Sequence, residues 1–289
     1  MRSGGAELAV TFHGVRGSTP CAGPELVRYG GNTSCVVVEA PDTRPIVLDL
    51  GTGLRRYGAT LDADCPFDGL ALVTHLHWDH VQGLPFFGPA LRAGSRIDVV
   101  GPDPGTGASL AEAFDRCYRP PFFPVRLDDL ACAITYRSVG PGSFTEGDVR
   151  VTVAEVPHTG PTIGFRLDWR GRSIAYVPDH QQPRDGSSAV PAGVVALAHG
   201  VDLLIHDAQY TDAEFADRPH WGHSTVGYAT TVARTAGVRT LALFHHDPAH
   251  DDDTLDALLA EAGAAAAEGG PCVIAAAEGL RCTFDPCDA

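Results

Sequence analysis

The six residues His75-Leu76-His77-Trp78-Asp79-His80 constrain this chain more than any other feature. Four of them are metal-capable side chains, placed directly after the apolar run Leu70–Thr74. A strand that ends in such a cluster can hold two cations a few ångströms apart, with His75 and His77 pointing one way and Asp79 and His80 turning toward a second position. The fold must therefore bring a strand end to an open edge with further donors close by. The chemistry expected there is metal-dependent hydrolysis.

Two cations need more donors than these four side chains, and the chain offers them where other apolar runs meet loops. His158 follows the run Val149–Val156, Asp179 follows Ile174–Pro178, and His245 follows Leu241–Phe244. Asp179 is the natural bridge, since a carboxylate can give one oxygen to each cation whereas a neutral imidazole serves only one. The seven side chains make two nitrogen and oxygen sites without a thiolate, a set that suits two zinc ions and also manganese, iron or cobalt. Spacing leaves His245 and His246 as alternatives for the last position. The eight cysteines are scattered without a Cys-x-x-Cys pair and read as reduced thiols, most of them small buried apolar groups.

A net charge of −15 over 289 residues repels a polyanion at long range. That argues against extended nucleic-acid binding and favours a small substrate. No run approaches the roughly 20 apolar residues of a membrane span, and the segment Met1–Thr11 lacks an apolar signal. A cytoplasmic protein without membrane contact is expected, and a homodimer is allowed. The Gly-rich turns Gly51-Thr52-Gly53 and Gly101–Gly107 lack the Gly-Lys-Ser/Thr ending of a phosphate loop.

Short β-branched or apolar runs between Gly and Pro punctuation predict strands at Leu8–Phe12, Cys35–Glu39, Ile46–Leu50, Leu70–Thr74, Ile97–Val100, Val149–Val156, Ile163–Trp169, Ser173–Val177, Leu203–His206, Thr240–Phe244 and Val273–Ala277. Helical patterns lie at Ser109–Arg116, Ala192–His199, Thr225–Thr235 and Thr254–Ala267. Hairpins mixed with strand–helix alternation predict an α/β chain of two sheets covered by helices on their outer faces, as one domain over residues 1–289. The Pro-rich segment Arg119–Val125, with Phe122 and Phe123, is either a packed surface loop or an apolar lid over a cleft.

Beyond the metal motif, the segments Gly14–Pro20, Tyr29–Ser34, Asp49–Gly53, His158-Thr159, Asp179, Leu204–Ala208, Gly222–Thr225 and Phe244–Pro248 occur in an order that resembles the metallo-β-lactamase superfamily. They are most similar to its phosphodiesterase branch, which includes ribonuclease Z, the phosphoribosyl cyclic phosphodiesterases and cyclic-nucleotide phosphodiesterases. The resemblance implies a four-layer αββα sandwich with the metals at one edge. It implies His75, His77 and His158 on one cation, Asp79, His80 and His245 on the other, and Asp179 between them, with Asp49 supporting the ligand loop. It further implies that His223, paired with Asp207, lies over the centre. A metal-bridging hydroxide would then attack phosphorus in line while His223 protonates the departing oxygen.

Departures from the family narrow the expectation. Ribonuclease Z carries a flexible basic arm for tRNA, and no Lys/Arg-rich insertion occurs among the 21 basic residues here. Many true β-lactamases use a Cys ligand that this pattern lacks. His180, following the bridging Asp179, departs from the commoner family residues and is expected to alter substrate contacts. Arg16 and Asn32 are expected as local donors to substrate. The reading is a dinuclear hydrolase of a small phosphodiester, a cyclic nucleotide or cyclic sugar phosphate. The alternatives are a ribonuclease Z-like nuclease, an ester or lactone hydrolase, and a non-catalytic metal- or ligand-binding sensor.

Overall fold

Apolar residues that run unbroken through short strands build sheets with two buried faces, and this chain makes two such sheets. The computed structural model describes residues 7–266 and 269–287. The first half runs β1 (Leu8–Gly14), β2 (Cys35–Glu39), β3 (Ile46–Leu48), α1 (Gly53–Thr60), β4 (Asp68–Leu72), α2 (Trp78–Val81), β5 (Arg96–Gly101), α3 (Leu110–Cys117) and β6 (Ala133–Ser138). The second runs β7 (Gly142–Glu146), β8 (Val149–Glu155), β9 (Ile163–Trp169), β10 (Arg172–Val177), α4 (Ala192–Ala198), β11 (Leu203–Asp207), α5 (Asp212–Asp217), α6 (Val226–Ala236), β12 (Thr240–Phe244), α7 (Asp252–Ala266), β13 (Cys272–Ala275) and β14 (Arg281–Phe284).

One sheet has the order β14-β1-β2-β3-β4-β5-β6 and the other β13-β12-β11-β10-β9-β8-β7. In each, four neighbouring strands are parallel: β3 to β6 and β10 to β13. Parallel strands joined through helices need both faces apolar, and β3 and β11 are buried at every residue.

The two inner faces share one core. Leu8, Val10, Phe12, Val36, Val38, Leu70 and Leu72 meet Val151, Phe165, Leu167, Ile174, Tyr176, Leu203, Ile205 and Phe244. Stepping one residue along a strand turns the side chain outward. Cys35, Val37 and Ala71 therefore pack on Leu54 and Tyr57 of α1 and Leu110 and Phe114 of α3. Ala175, Val177, Leu204 and Leu243 pack on Val194, Ala229, Val232 and Leu258 of α4, α6 and α7. The layers are helix, sheet, sheet, helix, as the αββα expectation requires. Each fully buried Leu, Ile or Phe contributes roughly 1.5–3 kcal/mol, so truncating Ile205 between the sheets would cost about 2–5 kcal/mol.

The eleven expected strands are all present, three with the expected bounds and the others with ends shifted by at most two residues. Three others, β6, β7 and β14, lie at sheet ends and alternate between exposed and half-buried residues. Helix α1, which the sequence patterns did not mark, begins at Gly53 of the Gly51-Thr52-Gly53 turn and buries Leu54 and Tyr57. Helix α7 starts at Asp252, where Asp251 Oδ1 accepts from Thr254 N at 2.8 Å; Ala267, the expected last residue, lies outside the described residues.

The carboxyl ends of β4, β10, β11 and β12 open at one edge, the usual place for a site in sheets of this kind. β8 runs in the same direction as β10, through two antiparallel pairings, and delivers His158 to that edge. No helix among the described residues is long and apolar enough to cross a membrane.

Candidate metal centre

The seven expected donors converge. His75, His77 and His158 form one group, Asp79, His80 and His245 a second, and Asp179 joins His75 and His80 in a third, the candidate ligand atoms of each lying within 4.8 Å of one another. Asp179 divides its oxygens between the groups. Oδ1 is 3.8 Å from His75 Nε2 and 3.6 Å from His158 Nε2; Oδ2 is 3.0 Å from His80 Nε2 and 3.4 Å from His245 Nε2. His77 Nδ1 faces His158 Nε2 at 3.2 Å, and His80 Nε2 faces His245 Nε2 at the same distance. A tetrahedral ion with bonds of 2.0–2.1 Å sets its ligand atoms roughly 3.4 Å apart, so these donors fit such ions. His75 Nε2 and Asp179 Oδ2 are buried without a hydrogen-bond partner, a costly arrangement unless each meets a cation. Among the described residues no cysteine joins a cluster of this kind.

In four of the five rings, all but His77, which turns its Nδ1 toward the cluster, the outer Nδ1 fixes the orientation. His80 Nδ1–H donates to Asp49 Oδ2 at 2.7 Å, His158 Nδ1–H to the Gly222 carbonyl at 2.6 Å, and His245 Nδ1–H to Gln209 Oε1 at 2.9 Å. His75 Nδ1 lies 3.1 Å from Thr74 Oγ1, whose own proton goes to Asp49. Holding the proton on Nδ1 leaves a lone pair on Nε2, the nitrogen that faces the centre. Asp49 is fully buried and also accepts from Thr74 N at 2.8 Å and Tyr176 OH at 2.9 Å. Asp49 and His245 both hold positive φ, 59° and 60°, a conformation costly for non-glycine residues that the surrounding contacts must maintain. Gly17 leaves room for His245: a Cβ there would sit 2.4 Å from its Nδ1.

Burial sets much of the electrostatics. It pushes the pKa of His75 far below the ordinary value, helped by His80, and lowers those of His77 and His158. These rings are neutral, as ligands must be. Burial opposes ionisation of Asp79 and Asp179 too, yet the neighbouring imidazoles outweigh it and hold both carboxyls well below the usual range. His80 differs from these three rings. Burial would lower its pKa, but Asp179, Asp79 and Asp49 together raise it.

His223 and Asp207 also reach the centre. His223 Nδ1–H donates to Asp207 Oδ2 at 3.0 Å and lies 3.6 Å from Asp179 Oδ1, with its ring stacked on His245 at 5.0 Å. Asp207 is held by the backbone N–H groups of His180 and Gln209, each at 3.1 Å. Burial alone would depress the His223 pKa; Asp207 reverses this, with Asp179 and Asp79 adding to the rise.

His245 faces the centre, whereas His246 Nε2 donates to the Ala276 carbonyl at 2.9 Å. His206 and His250 are buried, bonded to the Asp207 carbonyl and Glu214. His180 is directed at His206 and Tyr228 rather than toward substrate. Arg16 is fully buried and bonds the carbonyls of Gly30, Asp247 and His250; Asn32 is bonded to Glu278. Neither is placed as a donor to substrate. Phe123 packs on Phe86 and Tyr118, while Phe122 is 84 % exposed. Gln209 and Tyr176 escaped the sequence reading; Gln209, two residues past Asp207 at the end of β11, had a positional signal, and Tyr176 inside an apolar strand had none.

Residues 46–246 match the family model described as the β-lactamase superfamily domain. The ribonuclease Z of Methanopyrus kandleri is 30 % identical over 277 residues, covering 83 % of this chain and 87 % of that protein. The ribonuclease Z of Metallosphaera sedula is 28 % identical, covering 69 % and 78 %. Among solved structures, the metallo-β-lactamase fold protein YhfI from Bacillus subtilis aligns with a TM-score of 0.71 at 19 % identity over 97 % of this chain and all of that one. The short form of human tRNase Z aligns at 0.67 and 23 % identity, over 96 % of this chain and all of that one. With its fold, its donor clusters and these relatives, the chain belongs to the metallo-β-lactamase superfamily, in the phosphodiesterase branch that contains ribonuclease Z, and is a metal-dependent hydrolase.

Proposed function

We propose that this chain hydrolyses a small phosphodiester, a cyclic nucleotide or cyclic sugar phosphate, with two divalent ions as cofactor. The observation that carries the reading is the hydrogen-bonded His223–Asp207 pair set 3.6 Å from the central carboxylate. His75, His77 and His158 would hold one ion, Asp79, His80 and His245 the other, and Asp179 would reach both. Zinc suits these nitrogen and oxygen donors first, with manganese, iron or cobalt as substitutes. When bound, such ions make water nucleophilic near neutral pH and polarise a phosphoryl oxygen.

The chain's own residues manage the proton. An ester oxygen leaves poorly as an alkoxide, and a positioned acid lowers that barrier. Asp207 keeps the His223 ring protonated and turned, so Nε2 is the atom that delivers a proton to the departing oxygen. A purely binding module would not need that acid. The charge of −15 with 21 basic residues supports a small substrate over a polymer, because counterion release would add little to affinity.

A second reading is favoured by a specific observation: the curated relatives are named ribonuclease Z. The two readings separate when purified, metal-supplemented protein is assayed on bis-p-nitrophenyl phosphate, cyclic ribonucleotides, a simple lactone and a tRNA precursor. Turnover of a small cyclic diester with little precursor cleavage is expected. Efficient precursor cleavage with no activity on any small diester restores the nuclease, and turnover of the lactone alone makes the protein an ester hydrolase.

A further inference from the structure

Of the three tryptophans in the chain, Trp169 is buried in the core, while Trp78 and Trp221 are 57 % and 55 % exposed. Trp78 lies between His77 and Asp79. Trp221 lies one residue before Gly222, whose carbonyl takes the His158 proton, and two before His223. Single exposed aromatics are ordinary on protein surfaces; Trp221 is distinguished by how firmly its loop is held. Gly222 turns the chain at φ +97°, where a Cβ would lie 2.5 Å from the His158 ring. Gln181 accepts from Gly222 N at 2.9 Å and donates to the Pro219 carbonyl at 3.1 Å, bracketing the loop at both ends.

The ring is braced as well. The Arg218 guanidinium lies over the indole at 5.3 Å and over Tyr210 at 5.6 Å, and it pairs with Asp247 at 3.6 Å. Tyr210 in turn meets the edge of the His223 ring at 5.7 Å. With a guanidinium over one face, the exposure of the indole falls on its remaining surface. A fixed aromatic face loses little freedom when a second planar ring stacks on it, and a cation on the far side strengthens its hold.

We propose that Trp221 is a stacking platform for a nucleobase, placed on the side of the centre from which the ester oxygen departs. The proposal rests on the phosphodiester reading and deepens it: the substrate is a nucleoside phosphodiester instead of a bare sugar phosphate. Every nucleobase offers a planar face, so the platform selects for the presence of a base more than for its identity. Trp221 shares its loop with the leaving-group acid His223, so a base stacked there belongs to the nucleoside that carries the departing oxygen.

The test compares adenosine 2′,3′-cyclic phosphate with the 2′,3′-cyclic phosphate of methyl riboside, which has the same phosphoryl centre and no base. Trp221→Ala is expected to raise KM for the adenosine compound by about 10-fold or more, the size of one lost base stack, and to change the riboside by less than about 2-fold. Trp221→Phe should recover most of the loss. In parallel, adenosine 3′-monophosphate should quench the tryptophan fluorescence of the metal-loaded wild type and of Trp78→Phe, but not of Trp221→Phe. Equal KM changes for the two substrates would overturn the proposal, as would quenching that persists in Trp221→Phe and vanishes in Trp78→Phe. If the wild type cleaves neither cyclic phosphate, the fluorescence titration alone decides whether the platform stands, while activity on bis-p-nitrophenyl phosphate and other cyclic nucleotides decides the phosphodiester reading separately.

Discussion

Replacing Asp49 by Asn keeps its volume and removes one acceptor, and the loss falls on a single neighbour. Thr74 N donates to Oδ1 at 2.8 Å and cannot turn away, so the amide oxygen must stay there. The NH2 group then takes the place of Oδ2, facing Tyr176 OH and His80 Nδ1. A phenol can switch from donor to acceptor. His80 Nδ1 must also become an acceptor, which moves the ring proton to Nε2. That nitrogen faces Asp79, Asp179 and His245 and would no longer offer a lone pair to an ion. Loss of such an orienting partner weakens metal binding about 10- to 100-fold, or about 1.4–2.7 kcal/mol. The metal-free protein loses less, about 1–2 kcal/mol, because each polar atom finds some partner. Competition against a chelating indicator, with urea unfolding in excess chelator, measures both. Wild-type affinity in Asp49→Asn would refute the tautomer argument, and so would a metal-free protein destabilised by more than the metal-loaded one.

Elemental analysis of metal-replete protein is expected to give two divalent ions per chain and Asp179→Ala at least one fewer, whereas saturation of the wild type at one ion would sink the dinuclear centre. His223→Ala should lower turnover roughly 10²- to 10⁴-fold with metal content unchanged, and a substrate with a good leaving group should suffer less; equal losses would make His223 a positioning group. His13 is held at a pKa of about 4 by burial, with Arg56 adding to the effect, against 6.5 for a free histidine. As pH falls through that window the unfolded chain takes up the proton first, so stability is full above pH 6.5 and falls by about 3 kcal/mol toward pH 4. His13→Gln should flatten that part of the urea-stability profile, and an unchanged slope would show that the ring is not held neutral.

Strands were legible where apolar residues run unbroken between turns, as in Cys35–Val38 of β2 and Leu241–Phe244 of β12, because a strand covered on both sides must be apolar on both faces, and where they alternate with polar ones, as do Phe165, Leu167 and Trp169 in β9. β6 was not, since Ala133, Thr135 and Arg137 face solvent and dilute the pattern. The donors were legible because each sits where an apolar run stops. Which of His245 and His246 turns inward was not, since neighbouring residues in a run have equal claim until β12 fixes its register against β11 and β13. Arg16 was misread because a cation beside an anion-cleaving site suggests a contact with substrate. Its Nε and Nη1 bond instead to the carbonyls of Gly30, Asp247 and His250, in two chain segments far apart in sequence, and no local pattern announces that.

The donors come from both sheets: the loop after β4 supplies four, and the ends of β8, β10 and β12 supply three. An ion that touches both sets acts as a rivet, and its binding energy counts toward docking one sheet on the other as well as toward catalysis. Neither sheet alone can present a complete site, so an incompletely assembled chain has no tight place for the metal. Capture of the ions thereby becomes a late checkpoint of folding. Removing them should loosen the seam along the shared edge before it unravels either sheet.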